Sequence, residues 1–218
     1  MKPAFTKVNR YIFDPKAISW SIPSGTTCPG AEKCLAKVDR VTGKITNGVH
    51  QEYKCYSAMT ERYPSVRERY WTNFEAVRGK SAKEVHEVLS NCFPKNAKRV
   101  RIHTAGDYFS QSYFDGWLLF IASRPDIQFW AFTKSLPFWI ARLGLIPKNL
   151  ELQASYGGRH DHLIEQHNLK FAKVVWSVEE ANLLGLEIDL DDRLAAYPGK
   201  SFALLENFSA KKKGGSHE

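Results

Sequence analysis

Apolar and polar positions change period several times along this chain, and the changes mark its elements. Residues 17–23, Ala-Ile-Ser-Trp-Ser-Ile-Pro, alternate with period two and predict a strand that Pro23 ends. About 30 residues without periodicity follow, a loop long enough to expect a function from it. Cys55-Tyr56-Ser57 opens a helix that Pro64 interrupts and Ser65 restarts, with Val66, Tyr70, Phe74 and Val77 as its apolar stripe up to Gly79. Ser81 and Glu84 form a capping box for a helix striped by Val85, Val88, Leu89 and Cys92.

From residue 99 onward, strand and helix patterns alternate. Strands are expected at 100–104, 127–133, 150–156, 172–177 and 202–206. Between them lie a helix capped by Ser112 with Phe114, Trp117, Leu118 and Ile121 on one face, a helix from Leu136 to Leu143, and a helix carrying Leu163 and Ile164. A last one is opened by a Ser177–Glu180 capping box and stopped at Gly185. Such alternation predicts an α/β fold with a mostly parallel sheet and right-handed crossovers. With the strand near residue 20 the sheet has six strands. A complete eight-stranded barrel takes about 250 residues, so a partial (β/α) TIM-like barrel is expected. The chain is read as one domain over 1–208, with the cysteine loop at 24–56 and a disordered basic tail at 209–218.

That loop carries the most informative residues. Cys28, Cys34 and Cys55 lie on no apolar stripe, whereas Cys92 falls on a buried one and reads as a core cysteine. Thiolates gathered on a loop suit an iron–sulfur cluster or a soft metal, and three of them leave one coordination position open. Two disulfides are the alternative, but the opening Met1-Lys-Pro-Ala-Phe-Thr is no export signal and the chain is not cysteine-dense. A reducing cytoplasm is the expectation.

Ligands of parallel α/β sheets bind beyond the carboxyl ends of the strands. Strand ends here should bring the cysteines to one rim with His103, Gly106, Asp107, Lys134, Ser155, Gly157, Gly158 and Arg159. Each has a structural alternative. Gly106-Asp107 can be an Asx turn, Lys134 an ordinary exposed lysine, Gly157-Gly158 a simple turn and His103 a hydrogen-bonded core histidine. Asp189, Asp191 and Asp192 read as a helix cap at Asp191 or Asp192 rather than a cation site.

The formal net charge is +8, with seven histidines counted neutral. A basic, aromatic-rich chain is compatible with a nucleic acid or nucleotide partner. Part of the excess is the Lys211-Lys212-Lys213 tail. No apolar run has the length of a membrane span, so no membrane partner is expected; composition leaves the oligomeric state open.

Arg101-Ile-His-Thr-Ala-Gly-Asp-Tyr-Phe-Ser-Gln-Ser-Tyr-Phe-Asp-Gly-Trp117 and Phe132-Thr-Lys-Ser-Leu-Pro-Phe-Trp139 resemble the phage "gene product eighty-eight"-like family. So do Ala154-Ser-Tyr-Gly-Gly158 and Ile188-Asp-Leu-Asp-Asp192, and the similarity runs from Cys28 to Phe208. It implies a phage protein acting in the cytoplasm of the infected host. The chain is also remotely similar to radical S-adenosylmethionine enzymes, which have a six-stranded partial barrel and a three-cysteine loop after the first strand. That resemblance implies a 4Fe-4S cluster on Cys28, Cys34 and Cys55, with Tyr56 in the aromatic position after the last cysteine. Ala105-Gly106-Asp107 stands where that family's Gly-Gly-Glu motif binds S-adenosylmethionine, and Thr133-Lys134 is similar to spore photoproduct lyase-like members. The cysteine spacing is Cys-x5-Cys-x20-Cys in place of Cys-x3-Cys-x2-Cys.

His103-Thr-Ala-Gly-Asp-Tyr-Phe-Ser-Gln111 looks loosely like the Asp-Ser-Gly-Gly-Phe-Gln signature of tRNA-guanine transglycosylases, whose phage relatives insert deazaguanines into DNA. Asp107 would then be the catalytic carboxylate. The leading expectation is an iron–sulfur, radical S-adenosylmethionine-like enzyme acting on a nucleic acid or nucleotide. Catalytic roles go to Asp107, His103 and Lys134, and cofactor contacts to Tyr56, Gly106, Asp107, Ser155, Gly157 and Gly158. A 7-deazaguanine transglycosylase is the alternative, as is a zinc-stapled nucleic-acid-binding module.

Overall fold

The computed structural model describes residues 1–8 and 12–206; the expected basic tail lies outside the described residues. Elements follow in chain order: β1 (Thr6–Lys7), β2 (Ile18–Trp20), β3 (Ala36–Val38), β4 (Ile45–Asn47), α1 (Tyr56–Thr60), α2 (Pro64–Val77), α3 (Ala82–Cys92) and β5 (Arg99–Ile102). Then come α4 (Gln111–Ala122), β6 (Gln128–Thr133), α5 (Leu136–Ile140), a 3-10 turn (Leu143–Leu145), β7 (Leu150–Ser155), α6 (His162–Gln166) and β8 (Phe171–Val175). The last are α7 (Val178–Leu183), β9 (Glu187–Ile188), α8 (Arg193–Ala196) and β10 (Phe202–Leu205).

The main sheet has eight strands in the order β1-β2-β5-β6-β7-β8-β10-β9. The six strands expected from period-two runs are β2, β5, β6, β7, β8 and β10. They lie side by side in chain order and all pair in parallel. The expected count of six is corrected to eight by two edge strands. β1 is antiparallel to β2 and β9 parallel to β10, and each is two residues long, too short to show a period.

Alternation sorts the strands onto two faces. Trp20, Val100, Ile102, Phe129, Ala131, Leu152 and Ala154 join Phe74, Val85, Leu89, Phe114, Trp117 and Phe120 of the helices in the large core. On the opposite face Trp130, Ala172 and Phe202 pack against Ala195 and Ala196 of α8. The link from β9 to β10 therefore crosses this second face. Gln128 and Gln153 donate from the sheet to the Ala196 and Ala195 carbonyls.

Several boundaries differ from the sequence reading for identifiable reasons. The aperiodic loop contains an antiparallel hairpin, β3 with β4, whose strands of three residues are too short to read. Ser110, not Ser112, caps α4 by accepting from the Tyr113 amide at 3.2 Å. The helix begun at Leu136 ends at Ile140. Cys92 is only partly buried against the core. Asp192 stands at the N-cap of α8, as expected, and Asp191 accepts from the Arg193 amide at 3.2 Å, but most of the capping bonds come from further back. Asp189 accepts from the amides of Asp191, Arg193 and Ala195, while Asp192 takes a left-handed φ of 66° and makes no side-chain cap bond.

Asp189 is buried and holds three amides, so Asp189→Ala should lower unfolding free energy in urea by about 2 kcal/mol. Asp191→Ala should change it by less than about 0.5 kcal/mol.

Candidate functional site: a thiol loop seated on the strand ends

The loop that follows β2 turns back over the carboxyl ends of β5, β6 and β7. Its closest approach is at Gly30, where a Cβ would stand 2.0 Å from the Lys134 carbonyl oxygen, so only glycine fits. The Gly30 carbonyl accepts from the Arg159 amide at 2.9 Å, Ala31 bridges Gly158, and the Lys33 amide donates to Gly157 at 2.9 Å. Two tyrosines add side-chain ties. Tyr53 donates to the Tyr156 carbonyl at 3.0 Å and Tyr56 to the Thr104 carbonyl at 2.9 Å. Gly106 has φ +81°, and a side chain there would strike Ile22 and Thr27 of the loop.

Seated this way, Cys28, Cys34 and Cys55 are all free thiols, each within electrostatic range of the other two. Cys28 and Cys34 also feel the Asp107 carboxylate, and Cys34 feels the Lys134 ammonium. Burial pushes the Cys28 thiol well up and the Cys34 thiol up. The Gly25 amide donates to Cys28 Sγ at 3.3 Å, and the Ser57 hydroxyl lies 3.2 Å from Cys55 Sγ. Among the described residues no group of three or more His, Cys, Asp or Glu side chains is set to hold a single metal ion.

The expected catalytic residues are placed as follows. Asp107 is buried, and its carboxylate accepts from the Tyr108 amide at 2.7 Å, Thr133 Oγ1 at 2.6 Å and the Lys134 amide at 2.8 Å. Burial raises its carboxyl despite these bonds. Lys134 is buried, with Nζ donating to Ser155 O, Ser155 Oγ and Tyr156 O at 2.9, 2.7 and 2.6 Å. It therefore ties β6 to β7, and Ser155 is used in that tie. His103 points into the large core, not to the face that Arg101 occupies, because β5 ends at Ile102 and alternation stops there. Its Nε2 is 2.8 Å from Tyr113 Oη and its ring packs against Tyr108 and Trp117. Gly157 and Gly158 donate their amides to the Asp161 carboxylate at 2.8 and 2.9 Å.

Sequence reading missed two buried networks. In one, Glu61 accepts from the Ser24 amide at 2.7 Å, the Ser24 hydroxyl meets that of Ser57 at 2.9 Å, and Ser57 meets Cys55. In the other, Arg101 Nε lies 2.8 Å from Asp192 Oδ2 on the face covered by α8. Both join residues far apart in sequence, and no local pattern marks them.

These features define an α/β protein whose cysteine-bearing loop is seated on the carboxyl ends of a parallel sheet. The family model described as Gene product 88 matches residues 3–216, and the chain belongs to that family. It is 30% identical over 130 residues to the gene 88 protein of Mycobacterium phage L5 and, to the same extent, to that of Mycobacterium phage D29. Each match covers 54% of this chain and 48% of the relative, so the chain spans about half the length of the curated relatives it matches. No solved structure matches. These names carry no activity, and they lend no support to the radical S-adenosylmethionine or transglycosylase resemblance. Among the described residues no helix is long and apolar enough to cross a membrane.

Gly30→Ala should lift the loop from Lys134 and cost about 3 kcal/mol or more in urea denaturation, with proteolysis appearing in the loop. Gly144→Ala, where a Cβ meets nothing within 4 Å, should stay within about 0.5 kcal/mol.

Burial holds His103 down to about 3, from an ordinary 6.5. The unfolded chain therefore binds a proton that the folded chain refuses between those values. Stability should fall as pH drops from about 6.5 toward 3, and that component should vanish in His103→Gln, measured by urea titration at each pH.

Proposed function

We propose that this protein is an iron–sulfur enzyme with its cluster on Cys28, Cys34 and Cys55, acting on a nucleotide or nucleic acid. The observation that carries the reading is the convergence of three free, half-buried thiols on one rim of the sheet, each in electrostatic range of the others. A mononuclear zinc ion needs its donors in one shell. Each thiolate of a cluster instead meets its own iron, so its sulfurs need not converge on a single ion. Three thiolates leave an iron without a protein ligand, and the parallel order of β2, β5, β6, β7, β8 and β10 brings their carboxyl ends to the one edge of the sheet on which the loop sits.

A bound cluster would supply or accept single electrons at the rim. The chain's own residues hold it there. The Gly25 amide and the Ser57 hydroxyl offer hydrogen bonds to the sulfurs of Cys28 and Cys55, the kind of contact that tunes a cluster's potential. Asp107 and Lys134 keep the ends of β5, β6 and β7 together beneath the loop. A base-exchange nucleophile needs a carboxylate oxygen free to face its substrate. Asp107 has both oxygens engaged, which favours the cluster reading over a transglycosylase.

Anaerobic reconstitution with iron and sulfide should give a brown protein with about four irons and four sulfides per chain. It should also give an electron paramagnetic resonance signal on reduction. Cys28→Ser, Cys34→Ser and Cys55→Ser should each lower iron content sharply, and Cys92→Ser should leave it unchanged. A colourless protein holding one zinc per chain would sink the cluster and favour the stapled binding module. Addition of S-adenosylmethionine to the reduced protein should perturb the signal if that molecule is the cosubstrate.

A further inference from the structure

The face of the sheet crossed by α8 carries a second polar cluster, centred on Arg101. Arg101, the penultimate residue of β5, is buried. Its guanidinium carbon lies 5.2 Å from the centre of the Phe132 ring, and the Tyr56 hydroxyl is within its electrostatic reach. Asp192 pairs with it, its Oδ2 2.8 Å from Nε and also accepting from Trp130 Nε1 at 3.0 Å, and the Asp189 carboxylate acts on it from further off. That approach lacks hydrogen-bond geometry, and among the described residues Nε has no hydrogen-bond partner. A guanidinium carries five N–H donors, and among the described residues the one at Nε is left without an acceptor.

One strand further along, Gln153 stands opposite Phe132 in register and is fully buried. Its Nε2 donates to the Ala195 carbonyl at 2.9 Å, and its Oε1 has no partner among the described residues. Buried side-chain polar atoms in folded proteins are nearly always paired, and orphans ask for an explanation. Here an orphan donor at Arg101 and an orphan acceptor at Gln153 flank one aromatic ring. Both residues lie in the carboxyl-terminal half of their strands, where parallel sheets bind ligands. Tyr56 follows Cys55 in the chain and feels both its charge and that of Asp192, so the cluster adjoins the thiols.

We propose that Arg101 and Gln153 form the recognition subsite for a nucleotide. A phosphate oxygen accepts from the Arg101 guanidinium, and a sugar hydroxyl or base N–H donates to Gln153 Oε1. Planar N–H pairs suit phosphate oxygens, and one nucleotide offers both the acceptor and the donor that the pair lacks. The inference rests on the nucleotide half of the function proposed above and not on its cluster half.

The test is isothermal titration of the full chain, purified with chelator so that no metal is bound, against the four deoxynucleoside monophosphates, inorganic phosphate and the corresponding nucleosides. At least one monophosphate should bind saturably, and its nucleoside about tenfold more weakly or worse. Arg101→Gln combined with Asp192→Asn removes both charges of the pair together, and asparagine tolerates the left-handed backbone at 192. That double variant should stay folded by circular dichroism and lose about tenfold or more in affinity. Gln153→Leu should weaken the monophosphate and its nucleoside by the same factor. Should the double variant not fold, Arg101→Lys replaces it, keeping the charge and losing the planar fork, with the same expected loss. Absence of saturable binding to the wild-type chain would overturn the proposal. So would equal affinity for nucleotide and nucleoside, or binding untouched by the Arg101 and Gln153 changes. Iron and sulfide content, measured separately on the reconstituted protein, reports on the cluster whatever the titration shows.

Discussion

The placement of the thiol loop depends on how closely one backbone can lie on another at Gly30. The strand ends of a parallel sheet are a row of turns, and a long loop gains little by lying loosely over them, because each ordered residue costs conformational entropy. Close contact changes the balance. With no side chain at 30, the loop backbone comes against the Lys134 carbonyl and exchanges hydrogen bonds with the 157–159 turn. Van der Waals contact and backbone pairing then act together over a short stretch. Cys28 and Cys34 bracket that stretch, and their positions follow from it.

The strand ends must themselves be rigid for such a contact to fix anything. Asp107 and Lys134 serve that end. A carboxylate at the end of β5 takes hydrogen bonds from the end of β6, and an ammonium at the end of β6 gives three to the end of β7. Buried charged groups are tolerated when their hydrogen-bonding capacity is filled, and both are filled here. Residues that look catalytic by type thus also tie together the strand ends on which the loop sits. A lysine with its three protons given to acceptors has no lone pair for base chemistry, and its charge still reaches Cys34.

How much could be read from the sequence follows from the range of the interactions. The six main strands and the helices between them are written in local periodicity, and their order in the sheet follows from the parallel crossover rule. That Cys28, Cys34 and Cys55 stand apart from Cys92 was legible because only Cys92 lies on an apolar stripe. The hairpin of β3 and β4 was not legible, since three-residue strands give no period. Nor was the direction of His103, because alternation holds only while the strand lasts. The ties that Asp107 and Lys134 make were beyond reach for another reason. Residue type says what a group can do chemically, and only three-dimensional neighbours say whether its valences are already used.

The contrast between the two buried charge groups carries the last step. At Asp107 and Lys134 the electrostatic demands of burial are met within the protein. At Arg101 they are not, although its partner Asp192 sits on a backbone held in place by Asp189. An ion pair buried for stability alone gives little, since desolvation offsets most of the attraction. A guanidinium kept at the end of a strand, stacked on an aromatic ring and short of acceptors, is costly as architecture and well suited to a ligand that brings oxygens with it. Its place beside Tyr56, one residue from Cys55, sets that unmet demand next to the thiols and not at some distant part of the sheet.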